Sequence, residues 1–239
     1  MELNSLTALG PLDGRYRKKI ASLAPFFSEF ALIKYRIKVE VLYFIHLHSL
    51  ELPQLPALSA TDTQSLHDIY LRFGPIEAEA VKGFEKQTNH DVKAVEYYIK
   101  KAISEGHFSD ELKARSEFVH FGLTSQDINN TATPLMLQEA LRQVYLPQLA
   151  ELMQQIESMA QLYRGIPLLA RTHGQPASPT ALGKELAVFH ERLKQQYQTL
   201  DGFVIKGKFG GATGNMNAHF VAFPHVDWKA FADDFVENV

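Results

Sequence analysis

At 239 residues, 46% hydrophobic and 21% charged, the chain is long enough for one large domain or two modest ones and can bury a real core. A formal charge of −3 offers no basic field for nucleic acid. The sequence contains neither a run of 18 apolar residues that would cross a membrane nor a basic start leading into an apolar secretory signal. With no cysteine, disulfides, thiolate nucleophiles and cysteine-ligated metals are excluded, and a cytoplasmic protein is the plain reading.

The first 25 residues are turn-rich, punctuated by Gly10-Pro11 and Asp13-Gly14. A helix is predicted from Ser28, its N-cap, with Ile33, Ile37, Val41, Phe44 and Ile45 along one stripe. "ELPQLPALS" reads as a proline-broken connector. Residues 60–73 and 75–87 read as two short helices parted by Gly74-Pro75. Asp91 is placed to cap the next helix, whose Val92, Val95, Tyr98, Ile99, Ala102 and Ile103 recur at helical spacing until Gly106 closes it.

After a short helix near 109–119 the composition changes, which places a domain boundary near 110–115. Leu149, Leu152, Ile156, Met159 and Tyr163 then form one near-heptad seam. Leu182, Leu186, Phe189, Leu193, Tyr197 and Leu200 form another. Neither helix can bury its seam alone, so further helices, from this chain or another subunit, must cover them. Between the two lies "LLARTHGQPASPTALG", read as a stiff polar break. A short irregular or β-like segment is expected near 203–222, followed by an amphipathic helix carrying Trp228, Phe231 and Phe235. The expected fold is all-α: an N-terminal helical domain over 1–112, then over 113–239 the first long helices of a central bundle.

No metal site is expected, because His46 and His48 point to different helix faces and H-E-x-x-H is absent. "GKFGGATGN" lacks the spacing of either nucleotide-loop motif and follows a helix where those motifs follow a strand. It reads as a tight glycine turn. Without G-x-S-x-G, a serine triad has no support.

Three polar clusters remain. In "TNHDVKAVE", Asn89, His90 and Asp91 sit at a helix N-terminus, where free N–H groups and the helix dipole favour an anion; a plain Asp cap is the other reading. In "HFGLTSQDINN", Thr124 and Ser125 stand just before a helix, able to cap it or to hold a carboxylate. In "RTHGQPASPT", Gly174, Pro176 and Pro179 restrict the backbone around His173; it is either a surface histidine or a mounted proton donor.

In order along the chain stand "PLDGRY", "TNHDVKAVEYY", "SEFVHFGLTSQDINN", "PLLARTHGQPASPTALGKE" and "GATGNMNAHFVAFPHVDW". Together they strongly resemble the adenylosuccinate lyases of the fumarase/aspartase superfamily, in their bacterial form. The resemblance implies elimination of fumarate from adenylosuccinate, giving AMP, and from succinylaminoimidazole carboxamide ribotide, in purine biosynthesis, with no cofactor or metal. It implies substrate binding by Arg15 and Tyr16, by Asn89, His90 and Asp91 with His90 near the reacting groups, and by Thr124 and Ser125 on the succinyl carboxylates. It makes His173 the general acid that protonates the leaving nitrogen.

Two departures stand out. Gln126 replaces the family's usual Glu, and the family's S-S-x-M-P-x-K-x-N loop, which carries the serine base, does not occur in these residues. The resemblance therefore makes this the N-terminal portion of a homotetrameric enzyme and implies that the piece alone is inactive. Two other readings are another lyase of the superfamily, acting on argininosuccinate or fumarate, and a non-catalytic helical oligomerisation module.

Overall fold

The computed structural model describes all 239 residues. The helices in chain order are α1 (Arg17–Ile20), α2 (Ala24–Phe27), α3 (Glu29–His48), α4 (Ala60–Leu71), α5 (Pro75–Thr88), α6 (Asp91–Glu105), α7 (Asp110–Lys113) and α8 (Ser125–Ala140). They continue with α9 (Leu146–Leu162), α10 (Leu182–Asp201), α11 (Asn217–Ala222) and α12 (Trp228–Asn238). The only sheet is an antiparallel pair, β1 (Pro167–Thr172) with β2 (Gln175–Ala181). The chain divides into two compact units, Met1–Leu137 with Lys206–Val239, and Gln138–Ile205. The fold is all-α, as expected. The expected 112/113 division falls inside the first unit, within α7.

Helix α3 is the axis of the first unit. Ser28 caps it by accepting from the Ala31 N–H, and Ile33, Ile37, Val41, Phe44 and Leu47 are fully or almost fully buried. Burying such side chains stabilises by about 1.5–3 kcal/mol each. Tyr43 anchors an aromatic cluster with Phe209, Phe231 and Phe235, which fastens the returning C-terminal segment onto α3.

The Tyr43 hydroxyl donates its one proton to the Phe121 carbonyl at 2.6 Å. The 2.9 Å contact with His219 therefore has Nε2–H as donor. His219 Nδ1 is left as a buried acceptor without a partner. Burial, opposed by the Asp127 charge, pushes the His219 pKa down to about 4. Gly122, at φ 68°, lies against this ring: a β-carbon there would stand 2.6 Å from His219 Cε1. Both the left-handed backbone and the contact demand glycine.

In the second unit α9 and α10 pack antiparallel across Gly183, where a β-carbon would meet the Ala160 carbonyl at 2.2 Å. Leu182, Leu186, Leu193 and Tyr197 are half-buried along this contact, whereas Leu152, Met159, Leu162 and Phe189 stay exposed.

Three expectations are corrected. The strands lie at 167–181, not near 203–222, where the backbone before α11 is irregular. The break "LLARTHGQPASPTALG" is a hairpin because Pro176 and Pro179 cannot continue a helix, and His173-Gly174 supply the two left-handed residues of a tight turn, φ 50° and 77°. The cap of α6 is His90, not Asp91, and Ser125 is the first residue of α8, not a residue preceding it.

Candidate active site

Asn89 ends α5 in a left-handed conformation, φ 50°, and turns the chain directly into α6. His90 then caps α6, its Nδ1 accepting from the Lys93 N–H at 3.1 Å. In a neutral ring this places the proton on Nε2, which stands 3.5 Å from the Ser125 hydroxyl. Two helix N-termini, those of α6 and α8, thus meet through an imidazole and a hydroxyl, and their uncompensated N–H groups favour negative charge.

The carboxylate of Asp91 is fixed in place. Its Oδ1 accepts from the Val92 N–H at 2.9 Å, and its Oδ2 pairs with the Arg36 guanidinium at 2.7 Å. Burial works to raise the Asp91 pKa, yet the Val92 bond and the Arg36 charge hold it below the usual carboxylate range. Arg36, with 8% of its side chain exposed, also donates from Nε to Asn129 Oδ1 at 2.9 Å, tying α3 to both α6 and α8.

The start of α8 is built on Asp127. Its fully buried carboxylate accepts from the Thr124 N–H, from Lys208 Nζ at 2.8 Å, and from the Gly210 and Gly211 N–H groups. Burial would raise its pKa; Lys208 and these backbone donors lower it below the ordinary value. "KFGGATGN" is therefore a glycine turn, as read from its spacing, and the anion it wraps is the chain's own Asp127. Thr124 and Ser125 are consequently held half-buried at the start of the helix.

Of the remaining candidates, Arg15 lies over the Tyr16 ring, 5.5 Å from its centroid, and both are exposed. No hydrogen bond joins that pair to the α6 and α8 termini. His173 belongs to the second unit, exposed at the tip of the β1–β2 hairpin, where Arg171 Nη1 donates to the Gly174 carbonyl at 3.3 Å. The first unit thus brings together His90, Asp91 and Ser125, flanked by Asn89 and Thr124.

The sequence reading missed Arg36, Glu40 and His120. His120 has a left-handed backbone, φ 63°, and its Nδ1 lies 2.5 Å from Oε1 of the fully buried Glu40. Their signal was present: Arg36, Glu40 and Tyr43 form a polar row at helical spacing within the apolar stripe of α3.

Residues 14–237 match a protein family described as lyase. The chain is 50% identical over 242 residues to adenylosuccinate lyase of Dictyostelium discoideum, covering 99% of this chain and 51% of that protein. It is 45% identical over 240 residues to adenylosuccinate lyase of Escherichia coli K12, covering 100% and 52%. The chain thus spans about half the length of the curated relatives it matches. Fumarate lyase from Mesorhizobium sp. BNC1 shares its fold, with a TM-score of 0.68 at 19% identity over 92% of this chain and 48% of that one. The ordered motifs, the helical architecture and the match across nearly every residue converge: the chain belongs to the lyase family, within the fumarase/aspartase superfamily.

Proposed function

We propose that this chain is the adenylosuccinate-binding portion of an adenylosuccinate lyase. In this reading the full-length protein eliminates fumarate from adenylosuccinate, giving AMP, and from succinylaminoimidazole carboxamide ribotide. The observation that carries it is the meeting of His90 Nε2 with the Ser125 hydroxyl at two helix N-termini, in a chain 45–50% identical to adenylosuccinate lyases.

The chemistry suits these groups. A base removes the Cβ proton, and the electron pair moves through the adjacent carboxylate as an aci-carboxylate and then into the new C=C bond. The C–N bond breaks, and the nitrogen takes a proton. Thr124 and Ser125, with the open N–H groups of α8, are donors for the carboxylate that gains charge. Asn89, His90 and Asp91 orient the substrate, His90 beside the reacting groups. Arg15 and Tyr16 supply a cation and a ring hydroxyl suited to its phosphate. His173, mounted on a tight turn, is the acid for the leaving nitrogen. None of these steps calls for a metal or cofactor.

The base belongs to a serine loop outside these 239 residues, so this chain assayed alone releases no fumarate; measurable turnover by the pure chain counts against that. The active form is a homotetramer, a reading supported by the exposed Leu152, Met159, Leu162 and Phe189 of α9 and α10. Its domains divide at 112/113, residues 113–239 entering a shared bundle. A cysteine-free composition suits a cytoplasmic site of action, and its partners are small anionic substrates, not nucleic acid or membrane. The full-length protein should release fumarate from adenylosuccinate while leaving argininosuccinate unchanged. No release from adenylosuccinate would overturn the reading.

A further inference from the structure

Glu40 is the one carboxylate buried completely within the apolar stripe of α3, between Ile37 and Phe44. Its Oε1 meets His120 Nδ1 at 2.5 Å, but its Oε2 is buried without a partner. Burying a carboxylate is costly, and a pair left half-satisfied is a poor source of stability compared with a packed apolar side chain. Stability alone therefore does not account for Glu40.

The partner explains more. His120 opens a turn in which the Leu123 N–H donates to the His120 carbonyl, and Thr124 and Ser125 follow at once. Its ring runs from the interior to the surface: Nδ1 faces Glu40, 18% of the side chain remains exposed, and Nε2 has no partner within the chain. Resting on the lyase reading above, we propose that Glu40 is a positioning residue. It holds the His120 ring in a single orientation and keeps Nε2–H as a cationic donor for an anionic group of the substrate beside the Thr124–Ser125 turn.

The charged surroundings agree. From α6, Glu96 and Lys93 act on both members of the pair, Glu96 favouring a charged imidazole and Lys93 opposing it. Burial works to lower the His120 pKa, but the bond to Glu40 and the two carboxylate charges raise it above the ordinary value. A donor that must stay protonated loses function as pH rises through that raised pKa. Removing the Glu40 charge moves this loss to lower pH.

The test is Glu40→Gln, which keeps the shape and removes the charge. In this chain the His120 imidazole, followed by NMR and assigned against His120→Gln, should titrate at lower pH in the variant. In the full-length protein kcat/KM for adenylosuccinate should fall roughly tenfold or more, with the alkaline limb of its pH profile displaced downward. An unmoved His120 titration or an unmoved alkaline limb overturns the proposal. If Glu40→Gln does not fold, Glu40→Asp, which keeps the charge but shortens its reach, must shift both readouts in the same direction; no shift there overturns it equally. A full-length protein that releases no fumarate overturns the lyase reading and the catalytic half of this proposal, and the titration in this chain distinguishes that failure from failure of the Glu40–His120 pairing.

Discussion

His90 Nε2 and Ser125 Oγ stand 3.5 Å apart across 35 residues of sequence, one at the cap of α6 and the other at the first residue of α8. His90 is exposed and Ser125 half-buried, and a contact at 3.5 Å contributes little to folding, so its consequence lies in chemistry. Ser125→Ala removes one donor for the carboxylate while leaving the helix N–H groups in place. We expect kcat/KM of the full-length protein to fall by roughly 10²–10³, as for loss of one oxyanion donor. The melting temperature of the chain should hold, since Ser125 lies outside the core and a substitution away from core and caps changes stability by about 0.5 kcal/mol or less. A variant with normal kinetics would remove Ser125 from the site.

His173 can be tested without disturbing its mount. Asn tolerates the left-handed backbone that His173 adopts at φ 50°, so His173→Asn keeps the hairpin turn and deletes the imidazole. The expected loss in kcat is roughly 10²–10⁴-fold, with an unchanged circular dichroism spectrum. Turnover close to normal would show that another group supplies the proton.

Two glycines predict opposite outcomes. Gly122→Ala combines a φ of 68° with a β-carbon 2.6 Å from the His219 ring, and should destabilise the chain by about 2 kcal/mol or more. Gly83→Ala places a β-carbon in open space within α5 and should stabilise by about 0.5–1 kcal/mol. Denaturant midpoints of the two variants measured together check the pair, and a tolerated Gly122→Ala contradicts the packing around His219.

His219 makes stability depend on pH in a defined window. Its folded pKa of about 4 lies below the unfolded value of 6.5, so the unfolded chain binds the proton more readily. Stability from this group is fully present above pH 6.5 and declines as pH falls toward 4, by about 3 kcal/mol in all. His219→Gln, which carries no titrating ring, should show a flatter profile between those limits. An identical slope in both proteins would mean that other groups carry the acid sensitivity.

The sequence disclosed most of the helices because their signals are local. Ser28 before an apolar stripe, Gly74-Pro75 between two periodic segments and Gly106 after the last periodic residue each mark a boundary with a physical cause. The hairpin escaped because its strands alternate weakly and carry three prolines, so only the His173-Gly174 turn holds the signal, and histidine is an uncommon residue there. The capping role of His90 was hidden for a related reason: Asp91 is the commoner cap, but its carboxylate is already taken by Arg36. The Asp127 anchor was not legible at all, since it joins residues more than 80 positions apart. Long-range polar contacts leave no periodic trace in a sequence.

That Asp127 anchor also sets the length of chain that folding must close. Residues 138–205 are an excursion within the first unit, whose chain leaves after Leu137 and returns at Lys206 to close on Asp127. The second unit is built from contacts between near neighbours, an antiparallel helix pair and a hairpin, which need no distant partner to begin. If it forms first, it shortens the flexible span that the Lys208–Asp127 clasp must close, easing the closure entropy by about 1–2 kcal/mol. In that order the first unit, though it begins at the first residue, is completed last. Its final act of assembly draws the glycine turn around the carboxylate that seats Thr124 and Ser125.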